Sequence, residues 1–143
     1  MAEFSEAAIR RAVIRWYRAL DRHDELSEVL PYLVDDGLEM RFPEGVSRGH
    51  AGFKEWYERV TTLFFDEEHT VRSVDVDFTG PASATVAVLV NWQARVWSPP
   101  AAQSRWLGFD AFQTWEVVLD EGRVKVRTYT VDALDPMPGS ASL

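Results

Sequence analysis

Apolar residues first recur at helical spacing: Ile9, Ala12, Val13, Trp16 and Leu20 fall on one face of a predicted helix. Ser5 stands where its hydroxyl can cap the free N–H groups, and Glu6 follows where the helix dipole favours an acid. Asp24 is placed to cap a second, shorter helix through Leu26, Val29 and Leu30, which Pro31 interrupts. Leu38 to Phe42 alternates as a short strand, ended by the turn residues Pro43-Glu44-Gly45. A third helix is predicted from about Gly49 to Phe64, with Phe53, Trp56, Tyr57, Val60 and Phe64 as its apolar stripe. Beyond Glu68 the period drops to two. Strands are predicted over Thr70–Phe78, Ala82–Trp97, Arg105–Leu119 and Arg123–Leu134, broken by Gly80-Pro81, Pro99-Pro100 and the hairpin turn Glu121-Gly122.

This order predicts an α+β fold: three N-terminal helices packed on the concave face of a curved antiparallel sheet, a cone. Strands this long must twist and curl, which leaves a hollow that helices fill only in part. The period of two does not say which face of Ala82–Trp97 looks inward, the one from Ala84 to Val96 or the more polar one through Asn91 and Arg95. With 143 residues, a single domain over residues 1–134 is expected. The segment 135–143 carries Pro, Gly and small polar residues and is expected to be flexible unless docked.

Composition narrows the function classes. The absence of cysteine removes disulfides, thiolate metal sites and a thiol nucleophile. A net charge of −8 argues against nucleic acid as a partner, because phosphates demand cations. No run approaches a membrane span, and the acidic start MAEFSEAAIRR does not read as a signal peptide, so a cytoplasmic protein is expected. The three histidines lack metal spacing, His23 reads as a surface turn residue, and Asp66-Glu67-Glu68 reads as a solvated charge cluster. Neither metal nor cofactor is expected. The aromatic load of 13%, with six Trp, is the unusual feature, and it suits either a packed core or a cavity for a flat apolar ligand.

Several strings, in order, resemble the nuclear-transport-factor-2-like superfamily and its SnoaL-like branch, with scytalone dehydratase and the small subunits of ring-hydroxylating dioxygenases as relatives. They are Tyr17-Arg18-Ala19-Leu20-Asp21, Leu33-Val34-Asp35-Asp36, Arg48-Gly49-His50, His69-Thr70-Val71-Arg72-Ser73 and Asp120-Glu121-Gly122-Arg123-Val124. The resemblance implies a cone-shaped fold with an internal cavity, a small hydrophobic ligand and a homodimer formed through the outer sheet face. It also implies that Asp21 and His69 stand at catalytic positions of scytalone dehydratase. A carboxylate there would fix the imidazole tautomer and let His69 move a proton. The plainer reading makes Asp21 a turn-stabilising residue and His69 a structural histidine.

Two departures limit the analogy. Leu20 and Phe42 stand where that dehydratase carries tyrosines, and Phe42 and Thr114 stand where ketosteroid isomerase carries its two carboxyl groups. The expected cavity lining is Trp16, Tyr17, Phe42, Trp56, Tyr57, Thr114, Glu116, Arg127 and Tyr129. With Glu121-Gly122 as the turn, Glu116 would oppose Arg127, either as a ligand anchor or as a plain surface pair. The expected function is binding of a hydrophobic cyclic or polyketide-like molecule, with cofactor-independent dehydration, isomerisation or cyclisation by His69 and Asp21. The alternative is a non-catalytic dimeric binding or assembly module of the same fold.

Overall fold

The computed structural model describes residues 4–143. Met1 to Glu3, part of the acidic start read above, lie outside the described residues. Helix α1 spans Glu6–Asp21, and the Ser5 side chain accepts a hydrogen bond from the Ala8 N–H at 3.1 Å. Its buried face is Ile9, Val13, Trp16, Tyr17, Ala19 and Leu20. Helix α2 is one turn, Leu26–Val29, followed by a 3-10 turn at Leu30–Tyr32. Asp24 does not cap it. Glu25 holds the N-cap position without a side-chain bond, and the Asp24 carboxylate instead accepts from Arg22 at 2.7 and 3.1 Å.

Strand β1 (Glu39–Phe42) pairs with β2 (Gly45–Arg48), and helix α3 (Gly49–Leu63) follows directly. The remaining strands are β3 (Phe64–Gly80), β4 (Ser83–Val96), β5 (Arg105–Asp120) and β6 (Arg123–Pro136). They form one six-stranded sheet in the order β2-β1-β6-β5-β4-β3. The sheet is mixed and not wholly antiparallel, because β1 runs parallel to β6. Strand β2 escaped the sequence reading because four mostly exposed residues carry no apolar alternation. The β5–β6 hairpin closes at Glu121 and Gly122, whose φ values of 53° and 75° are those of a type I′ turn.

The fully apolar face of β4 looks inward: Ala84, Val86, Val88, Val90 and Ala94 are buried, and Asn91 lies on the opposite face with Asp110. Trp16, Trp115 and Phe53 are almost completely buried between the helices and the sheet. Each contributes roughly 2–3 kcal/mol of hydrophobic stabilisation. A smaller cluster of Phe64, Ala94, Val96, Leu107 and Phe109 fills the other end. Irregularities in the β3–β4 pairing at Phe65/Glu68, Val71/Ser73 and Phe78/Gly80 curl the edge around the helices. The C-terminal segment docks along β5: the Met137 N–H bonds the Gly108 carbonyl and the Ala141 N–H bonds the Trp106 carbonyl, both at 2.9 Å.

Candidate active site

Asp21 is the last residue of α1, the negative end of the helix dipole, where an acid costs roughly 0.3–1 kcal/mol. It is held there by β3. The Asp21 Oδ2 accepts the backbone N–H of His69 at 2.9 Å, and Oδ1 lies 2.5 Å from the His69 Nδ1. A carboxylate on Nδ1 selects the Nδ1–H tautomer and leaves the Nε2 lone pair free. The Nε2 atom has no hydrogen-bond partner among the described residues, and His69 lines a cavity of about 520 Å³. The Tyr17 ring stacks on the imidazole with centroids 4.7 Å apart.

That cavity lies between α3 and the inner sheet face. Leu20, Phe42, Trp56, Val60, Val90, Trp92, Ala111, Val131 and Leu134 make its wall largely apolar. Phe42 and Trp56 stack parallel at 4.3 Å and form one flat side. Its size falls within the 300–1,000 Å³ of small-molecule sites. Glu44, Arg59 and the C-terminal Leu143 stand at the rim.

One polar group was invisible in the sequence. The Gln113 Oε1 accepts from the Tyr17 hydroxyl at 2.5 Å and from the Trp115 Nε1–H at 3.0 Å. Two donors on one atom fix which amide atom is oxygen, and Gln113 is among the residues that line the cavity. The Tyr129 hydroxyl lies 3.1 Å from that of Tyr17 and extends the chain. Burial pushes the phenols of Tyr17 and Tyr129 up, so both remain neutral donors. Burial, with the Asp24 and Glu67 charges nearby, pushes Tyr57 up to about 12; its hydroxyl donates to the Asp24 carbonyl at 2.6 Å.

The SnoaL-like domain family matches residues 5–130, most of the chain. This chain belongs to that family. Its fold is shared by a candidate aromatic ring hydroxylase from Novosphingobium aromaticivorans, 19% identical with a TM-score of 0.79, covering 92% of each chain. A candidate scytalone dehydratase from the same organism is 21% identical with a TM-score of 0.72, covering 94% of each. The hexachlorocyclohexane dehydrochlorinase LinA-type3 from Novosphingobium barchaimii is 16% identical with a TM-score of 0.75, covering 96% of this chain and 92% of that one. No curated protein matches. At these identities the likeness carries the fold. Among the described residues no helix is long and apolar enough to cross a membrane.

Within this SnoaL-like domain the expected lining residues divide. Phe42, Trp56, Tyr57 and Tyr129 line the cavity with His69. Tyr17 sits behind Gln113 and His69, and Trp16 is core, packed on Trp115 and Phe53. Thr114, Glu116 and Arg127 do not line it. Thr114 donates to the Asp132 carboxylate, and Glu116 and Arg127 are exposed. Their expected pairing fails because a bulge at Glu116/Val117 shifts the register, so that Glu116 opposes Thr128. His23 and Glu67, read as surface residues, pair with each other at the cavity edge, and the Glu67 side chain is only 8% exposed.

Proposed function

We propose that this SnoaL-like protein is a cofactor-independent lyase or isomerase that removes a proton from a carbon of a small, hydrophobic, ring-bearing substrate. The observation that carries the reading is the Asp21–His69 pair, with the imidazole opening onto the apolar cavity. His69 Nε2 takes the proton, and Asp21 holds the tautomer and stabilises the imidazolium that forms. The Gln113 amide donates to a substrate oxygen on which negative charge grows. The parallel Phe42 and Trp56 rings suit a planar ligand. Two proteins sharing the fold are named for a dehydration and a dehydrochlorination, both eliminations, which agrees with this chemistry. A homodimer through the outer sheet face, where Phe112 is exposed, belongs to the same proposal.

A direct test uses 5-nitrobenzisoxazole, a flat bicycle whose ring opens when a base removes one C–H proton, releasing a coloured phenolate. The wild type is expected to open it with saturation, and His69→Ala to lose roughly 10²-fold or more of kcat. Equal rates for the two folded proteins would favour the binding-module reading.

A further inference from the structure

A second histidine–carboxylate pair stands beside the first with its polarity reversed. In the first pair the imidazole lines the cavity and the carboxylate stands behind it. In the second, Glu67 lines the cavity, and its Oε2 is bonded to the His23 Nε2. The His23 side chain remains 27% exposed, so its ring reaches solvent. The Glu67 Oε1 accepts from the Trp92 Nε1–H at 3.1 Å, and Trp92 also lines the cavity.

The backbone on both sides of this contact is irregular. The β3–β4 register breaks between Phe65 and Glu68, inserting a residue beside Glu67. Asp66 takes φ 50° and His23 takes φ 51°, both left-handed and both uncommon for residues with a Cβ. Without the bulge, strict alternation from His69 would still put Glu67 on the inner face, but the cluster Asp66-Glu67-Glu68 gives no hint that one member is buried. The buried acid is retained against a desolvation cost that the hydrogen bond from Trp92 and the contact with His23 offset.

We propose that Glu67, backed by His23, is a second catalytic residue: the acid that protonates the departing oxygen while His69 takes the proton from carbon. This rests on the proton-transfer reading of His69. In its acid form the pair carries one proton on the Glu67–His23 contact in addition to the ring proton on His23 Nδ1. In an elimination the C–H bond breaks and its proton passes to His69 Nε2. The freed electron pair forms the new π bond, and the bond to the leaving oxygen breaks with its electrons on oxygen. That oxygen takes the proton from Glu67 and leaves as a hydroxyl compound, or as water when the leaving group is hydroxyl. His69 has then gained one proton and the Glu67–His23 pair has lost one. Solvent restores both, reaching the second pair through His23. No oxidant, reductant or co-reactant enters. The substrate class is narrowed accordingly: a ring-bearing molecule with an acidic C–H and an oxygen leaving group too basic to depart unaided.

The test compares 5-nitrobenzisoxazole, whose oxygen leaves as a weakly basic phenolate, with unsubstituted benzisoxazole, whose oxygen is more basic and gains more from a proton. Wild type, Glu67→Gln, His23→Asn and His69→Ala are measured on both. Asn tolerates the left-handed backbone at position 23, so the second variant removes the imidazole without straining the turn. Both Glu67→Gln and His23→Asn are expected to lose roughly 10²-fold on the unsubstituted probe, the scale of general acid catalysis, and far less on the nitro probe. A purely structural role would lower both rates in parallel, and that result overturns the assignment of Glu67. If His69→Ala leaves both rates unchanged, the proton-transfer reading itself fails, whatever the Glu67 variant does.

Discussion

Asp21→Asn separates the orienting role of this carboxylate from its bulk. The substitution keeps the shape but leaves one acceptor oxygen for two neighbours. The backbone N–H of His69, 2.9 Å from Oδ2, is a fixed donor and cannot change its role. The amide oxygen therefore turns to it, and the amide NH2 faces His69 Nδ1. That nitrogen must then accept, which moves the imidazole proton to Nε2, the atom that should take a proton from substrate. The same tautomer fault in serine proteases costs about 10⁴-fold, and general bases contribute roughly 10²–10⁴-fold, so a kcat loss in that range is expected here. The stability cost is separate. Exchanging a charge-assisted bond for a neutral one on a carboxylate 21% exposed removes about 1–2 kcal/mol. For a chain of this size that is a fall in Tm of about 3–8 °C. The assay is 5-nitrobenzisoxazole turnover beside a thermal melt. A folded Asp21→Asn protein whose kcat stays within about a factor of ten of wild type, below the range of general-base effects, would refute the reasoning.

Three further outcomes follow from the same geometry. Tyr17→Phe keeps the ring stacked on His69 and leaves Gln113 Oε1 bonded to Trp115, so it should cost about 1–2 kcal/mol in denaturant unfolding while changing probe turnover little. Tyr57, held up at about 12 when folded and near 10 when unfolded, keeps its proton longer in the native state; its stabilising contribution is complete below pH 10 and fades as pH rises toward 12. Urea midpoints should accordingly fall across that window, and less steeply in Tyr57→Phe. At Gly108 a methyl group would lie 2.5 Å from the Trp106 ring and 2.8 Å from Met137 Sδ. Gly108→Ala should therefore cost about 1–3 kcal/mol and speed proteolysis of the segment after Pro136, read by mass spectrometry.

The parts of this fold that are local and periodic were legible in the sequence. The α1 stripe, the Ser5 cap and the Glu121-Gly122 turn each rest on a few neighbouring residues, and each stands where the pattern places it. What failed depended on events between strands. Arg127 is itself the extra residue of a bulge, left unpaired between the Glu116–Thr128 and Val117–Val126 pairs. The parallel pairing of β1 with β6 joins segments far apart in sequence, which no short-range pattern reports. The candidate site divides the same way. Asp21 and His69 were singled out through the resemblance, each within a short local string. Gln113 is an ordinary strand residue until Tyr17 and Trp115 fix its amide, and Glu67 is one acid among three until His23 and Trp92 close on it. The docked C-terminal segment depends likewise on Gly108, whose missing side chain admits Trp106 and Met137.

The central claim is that Asp21 holds the proton of a neutral His69 on Nδ1 and presents a bare Nε2 to an apolar cavity. Long-range nitrogen–proton NMR on the nitrogen-15-labelled protein reads this tautomer without any substrate, with His69→Ala assigning the signal. The account predicts that the protonated nitrogen of the neutral ring is Nδ1, and that Asp21→Asn moves the proton to Nε2. A wild-type ring protonated on Nε2 would contradict it.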